Sequence, residues 1–81
     1  MPRYNEDEIR YKIQLMDDIA DTAVRLGGSV HACLRGELGR FRFSSPSEAE
    51  NFARITRMTR HGKGKFLDAK ADGTLVVVTT K

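Results

Sequence analysis

The sequence predicts an α+β domain with elements in the order α-β-β-α-β-β. Three observations predict it. A long amphipathic helix spans Asn5 to Leu26 without an internal Gly or Pro. Ser45-Pro46-Ser47-Glu48 opens a second helix. After each helix the apolar spacing changes from about 3.6 to 2, with turn residues between the alternating segments. The simplest packing is one four-stranded antiparallel sheet with both helices on one face and the other face open.

The first helix has signals at both ends. Asn5 suits the N-cap, and Glu8 three residues on can complete a capping box. Glu6, Asp7 and Glu8 complement the positive end of the helix dipole, and Arg25 the negative end. Gly27-Gly28 can adopt the left-handed conformation that stops a helix. At about 100° per residue, Ile9, Ile13, Met16, Ala20, Ala23 and Gly27 form one narrow apolar stripe. Leu15, Ile19, Val24 and Leu26 widen it to about half the circumference. Arg10, Gln14, Asp17, Asp18, Asp21 and Arg25 form the opposite face. The competing reading makes Tyr11–Leu15 a strand and gives a ferredoxin-like β-α-β-β-α-β chain.

Val30, Ala32 and Leu34 alternate with His31, Cys33 and Arg35, which predicts a strand. Gly36-Glu37-Leu38-Gly39 serves as its hairpin connection to a second strand, where Phe41 and Phe43 alternate with Arg40 and Arg42. The expected core set is Val30, Ala32, Leu34, Phe41 and Phe43. In the second helix Ser45 is the N-cap, Pro46 takes the first helical position and Glu48 completes a capping box. Ala49, Phe52, Ala53 and Thr56 share its apolar face, and it ends near Arg60-His61. Phe66–Ala71 reads as a strand, Asp72-Gly73 as a type I′ turn and Leu75–Thr80 as a strongly β-prone strand. Leu75, Val76, Val77 and Val78 are apolar on both faces, so this strand is either central or covered by a second subunit.

At 81 residues the chain makes one domain, 1–81. One cysteine cannot form an internal disulfide, no apolar run approaches membrane-spanning length, and no signal-peptide core is present. The expectation is a soluble cytoplasmic protein without membrane contact. The formal charge is +3. Acidic residues dominate through Asp21 and basic ones from Arg25 onward, which points to a cationic surface in the later elements.

Two basic groups are candidates for binding an anion or a partner. Arg35, Arg40 and Arg42 would share the open sheet face. Arg54, Arg57, Lys63 and Lys65, with Arg60 and His61, run along the second helix into the Gly62-Lys63-Gly64-Lys65 loop. That loop lacks the spacing and the Ser/Thr of a P-loop. His31 and Cys33 lie two apart, but without a second cysteine they predict neither a metal site nor a nucleophile. Asp17, Asp18 and Asp21 read as a solvated acidic face. No catalytic residue, cofactor or metal is expected.

The segment from Gly39 to Ala49 resembles the third strand and second helix of RNA-recognition motifs. The resemblance implies that Leu38 and Arg40 occupy the positions where that family stacks bases, with Phe41 and Phe43 in the core. The short hairpin and the long first helix depart from the family pattern. The functional expectation is a small non-enzymatic binding protein using its basic surface to engage nucleic acid or an acidic partner. The alternative is a protein-interaction module or inhibitor, of the kind phages and mobile elements encode, that blocks a nucleic-acid-handling complex. A homodimer through the sheet face or an edge strand is expected as well.

Overall fold

The computed structural model describes residues 6–61, 64 and 66–80. Its elements are α1 (Glu6–Arg25), β1 (Ser29–Ala32), β2 (Gly39–Arg42), α2 (Pro46–Met58), β3 (Leu67–Asp72) and β4 (Leu75–Thr80). The four strands form one antiparallel sheet in the order β1-β2-β4-β3. Helix α1 packs over β1 and β2, and α2 over β3 and β4. The architecture is the α-β-β-α-β-β arrangement expected from the sequence. Unbroken helix through Tyr11–Leu15 excludes the ferredoxin-like alternative.

The expected N-cap of α1, Asn5, lies outside the described residues. At the other end Gly27 has φ +92°. The Gly28 N–H donates to the Ala23 carbonyl over 2.8 Å and the Gly27 N–H to that of Val24 over 3.1 Å. This pair of bonds is the Schellman motif, and its left-handed residue favours glycine. Gly28 is required for a different reason. A Cβ there would sit 2.5 Å from the Phe43 ring, which packs close against the backbone.

The core lies between the helices and the inner sheet face. Phe41, Phe43, Leu67, Ala69, Val76 and Val78 rise from the sheet to meet Leu15, Ile19 and Ala23 of α1 and Ala49, Phe52 and Ala53 of α2. Phe52 is central: its ring lies 5.4 Å from Phe41, edge-on, and 5.1 Å from Phe43. Ala49, Phe52, Ala53 and Thr56 are all buried, as their helical spacing predicts.

Strand β4 is central, which accounts for its apolar character on both faces. Val76 and Val78 are fully buried, while Leu75 and Val77 are half-buried on the outer face.

Five local expectations are corrected. First, Val30 and Leu34 are 60% and 50% exposed, and Ala32 is only half-buried. The register shifts between Val30 and Ala32, so Val30 pairs with Phe41 but Ala32 pairs with Arg40 and falls on the outer face. A bulge at His31 thus breaks the alternation. Second, α1 buries Leu15, Ile19 and Ala23, with Tyr11, Met16, Ala20 and Leu26 partly covered. Ile9 and Ile13 are 42% and 53% exposed. The apolar sector is wider than the sheet can cover, and the flank bearing Tyr11, Leu15, Ile19 and Leu26 offers more large side chains than the expected stripe.

Third, Asp72 is still in strand β3, paired with Leu75, so the two-residue loop is Gly73-Thr74. Gly73 has φ +60°, and among the described residues none other than glycine has positive φ. A type I′ turn needs positive φ at both central positions, so this loop follows the II′ pattern with glycine first. Fourth, α2 stops at Met58, where Thr59 caps it through its N–H and hydroxyl, both bonded to the Ile55 carbonyl. Fifth, the Ser45 hydroxyl does accept from the Glu48 N–H at 3.2 Å, but the Glu48 carboxylate reaches to Gly27.

Candidate functional site

The strand register sets the pattern of the open sheet face. One row across the sheet carries Ser29, Arg42, Leu75 and Asp72, and the next carries Ala32, Arg40, Val77 and Lys70. Thr79 and Asp68 begin a third. Adjacent strands are about 4.8 Å apart, so Arg42 and Asp72, two strands apart, flank Leu75 across about 10 Å. The face therefore has an apolar centre, Leu75 and Val77, with cations and carboxylates around it.

Arg40 is on this face but is already paired. Its Nε donates to Glu37 Oε1 at 2.9 Å and its Nη2 to Oε2 at 2.8 Å, a bidentate fork. The two side chains are 30% and 13% exposed. Glu37 Oε1 also accepts from the Leu34 N–H at 3.3 Å, and the Glu37 carbonyl accepts from Cys33 Sγ at 3.6 Å. One glutamate thus folds the β1–β2 connection back on itself and fixes the arginine. The hydrogen bond from Arg40 holds the Glu37 carboxyl below the usual carboxylate range, against an opposing contribution from burial. In return, Glu37 raises the Arg40 pKa. The sequence reading missed Glu37. Its signal is a carboxylate three residues before an arginine in a glycine-bracketed connection.

The other candidates are dispersed. Arg35 is exposed in the β1–β2 turn, beside Gly36 with φ +84°, and is not in the strand with Arg40 and Arg42. Arg54 donates to Asn51 Oδ1 at 2.9 Å on the exposed flank of α2, beside an open depression lined by Ser47, Glu48, Glu50, Asn51 and Arg54. Arg57 is half-buried and turned toward β3: its Nη1 donates to the Ala69 carbonyl at 2.7 Å, and Glu50 lies 3.5 Å from its Nη2. Arg60 stacks on Phe66, with its guanidinium carbon 5.6 Å from the ring centroid. His61 Nε2 donates to the Thr56 carbonyl at 3.1 Å. Lys63 and Lys65 lie outside the described residues.

The structure therefore keeps Arg40 and Arg42 on one face, separates Arg35 from them, and gives Arg40 and Arg57 partners within the chain. His31 is the exposed bulge residue, and Cys33 is an exposed free thiol in the following loop. Among the described residues no group of three His, Cys, Asp or Glu side chains is arranged to hold a metal ion. No helix among them is long and apolar enough to cross a membrane.

No protein-family model, curated protein or solved structure matches the chain.

Proposed function

We propose that the protein is a non-enzymatic protein-interaction module, an adaptor or inhibitor, whose open sheet face docks against a partner of matching mixed charge. The observation that carries this reading is the alternation on that face. Arg42 and Lys70 stand with Asp68 and Asp72 around the half-buried Leu75 and Val77. An apolar centre with a charged rim suits a protein surface. A uniformly charged phosphate backbone would meet repulsion from Asp68 and Asp72, and Arg40 is already neutralised by Glu37. Acidic side chains of the partner would meet Arg42 and Lys70, with Arg35 at the margin.

Binding of nucleic acid is the second reading, and the Arg60–Phe66 pair favours it. An exposed aromatic ring under a guanidinium is a stacking platform for a base. Arg54, Lys63 and Lys65 belong to that version.

The test is capture from a nuclease-treated lysate, comparing the native chain with the double variant Arg42→Glu/Lys70→Glu. A stoichiometric partner retained by the native chain and lost by the variant supports the interaction reading. Fluorescence anisotropy with labelled single-stranded DNA and RNA, at low and moderate salt, tests the other. Salt-dependent binding that survives the double variant and is lost in Arg60→Ala, without a protein partner, favours nucleic acid and overturns the first reading.

A further inference from the structure

The apolar ridge that α1 leaves uncovered has a regular spacing. Ile9, Ile13, Met16 and Ala20 follow one another at intervals of four, three and four residues. At 100° per residue they lie within about 60° of arc, some 90° round from the centre of the buried seam. Ile9 and Ile13 are 42% and 53% exposed, while Met16 and Ala20 are partly covered by the core beside them. The uncovered surface extends below the helix. Val30 is on the inner face of β1, paired with Phe41, yet stays largely exposed at the sheet edge over which α1 packs. Among the described residues before Leu15, only Tyr11 is partly buried against the core, so the first half of α1 has less of the tertiary packing that supplies most helical stability than the second half, which buries Leu15, Ile19 and Ala23.

The geometry points to a second copy of this chain as the occupant: two α1 helices pair antiparallel about a two-fold axis, ridge against ridge. The 4-3-4 spacing is that of alternating core positions in a helix pair. With Ile13 of one copy against Met16 of the other, Ile9 falls against Ala20, and both layers repeat through the two-fold axis. Each layer then joins a larger side chain to a smaller or more pliable one.

Charge also favours self-pairing. Arg10 and Asp17 lie one heptad apart along the same flank of the ridge, both exposed. Antiparallel pairing sets Arg10 of each copy beside Asp17 of the other, and an isologous interface makes that ion pair twice. On the opposite flank the helix meets its own core. A ridge of twelve residues is about 18 Å long, and such a contact falls short of the roughly 800 Å² per partner of a standard interface. The dimer is therefore concentration-dependent. This inference uses a different surface from the open sheet face and stands independently of the proposed partner.

Sedimentation equilibrium over a wide concentration range tests it. The expected result is a mass rising from 9.1 kDa toward twice that value as concentration increases. Ile13→Asp should give monomer throughout, with an unchanged circular dichroism spectrum in the β region and a cooperative thermal transition. Arg10→Asp should weaken association about tenfold, and Arg10→Asp/Asp17→Arg should restore it. Monomer at every concentration overturns the inference. So does a dimer that persists in Ile13→Asp, or a charge exchange that fails to restore association.

Discussion

Arg57 Nη1 donates to the Ala69 carbonyl over 2.7 Å, tying α2 to the free edge of β3. Ala69 is paired with Val78, whose own carbonyl is taken on the opposite side by the Leu38 N–H. The polar groups of Ala69 therefore point away from β4, toward the edge. A guanidinium at that position satisfies a carbonyl that otherwise invites another strand. Arg57→Ala is expected to lower the unfolding free energy by about 1–2 kcal/mol, read by urea denaturation. Partner capture by the folded variant should be unchanged. Loss of capture with full stability would return Arg57 to the binding surface.

Phe52 joins both aromatic residues of the β2 segment to α2 and is fully buried. Phe52→Ala should cost about 3–5 kcal/mol, a large part of the roughly 5–15 kcal/mol available to a domain. The expected outcome is loss of a cooperative thermal transition or a large fall in its midpoint. Phe52→Leu should retain cooperativity at a lower midpoint.

Gly28→Ala separates steric from conformational cost, because Gly28 is not among the glycines with positive φ. Its added methyl would meet the Phe43 ring at 2.5 Å. The expected loss is about 1–3 kcal/mol from overpacking. Combined with Phe43→Leu, the cost of Gly28→Ala should shrink, which a double-mutant cycle measures directly.

Glu37 predicts a pH dependence. Its folded pKa is lowered, chiefly by the hydrogen bond from Arg40. A depressed carboxyl pKa contributes stability that is fully present above the unfolded value, about 4.3, and is lost as pH falls through the folded value. The stability difference between the native chain and Glu37→Gln should therefore be constant near neutrality and narrow as pH falls below about 4.3. Denaturation curves from pH 7 to 3 check this. A difference that is flat throughout would show that the pair contributes nothing to folding.

The legible parts of the fold are those governed by local signals. The Ser45-Pro46 start marks α2, the apolar spacing of Ala49, Phe52, Ala53 and Thr56 gives its buried face, and the β-branched run gives β4. The rotation of α1 was not legible, because two adjacent ridges of that helix are apolar and only the sheet beneath decides between them. The β1 bulge was hidden for a similar reason: Val30, Ala32 and Leu34 alternate cleanly, and only the pairing with Arg40 reveals the extra residue. On the candidate surface, sequence reasoning put Arg40 and Arg42 on the open face. It could not see that the loop returns Glu37 to Arg40, since that contact depends on how the connection folds.

The position of β4 sets the order in which the chain can assemble. It follows every other element in sequence, yet it lies between β2 and β3. The β2–β4 contacts, from Gly39 with Val78 to Arg42 with Leu75, link segments nearly half the chain apart. During synthesis, α1 and the first hairpin emerge early, but β2 lacks its inner neighbour until β4 appears. Folding from the N-terminus onward therefore cannot close the core in stages. The nascent chain holds its apolar sheet surface open until the last strand arrives, then gains both halves together in one step of high contact order.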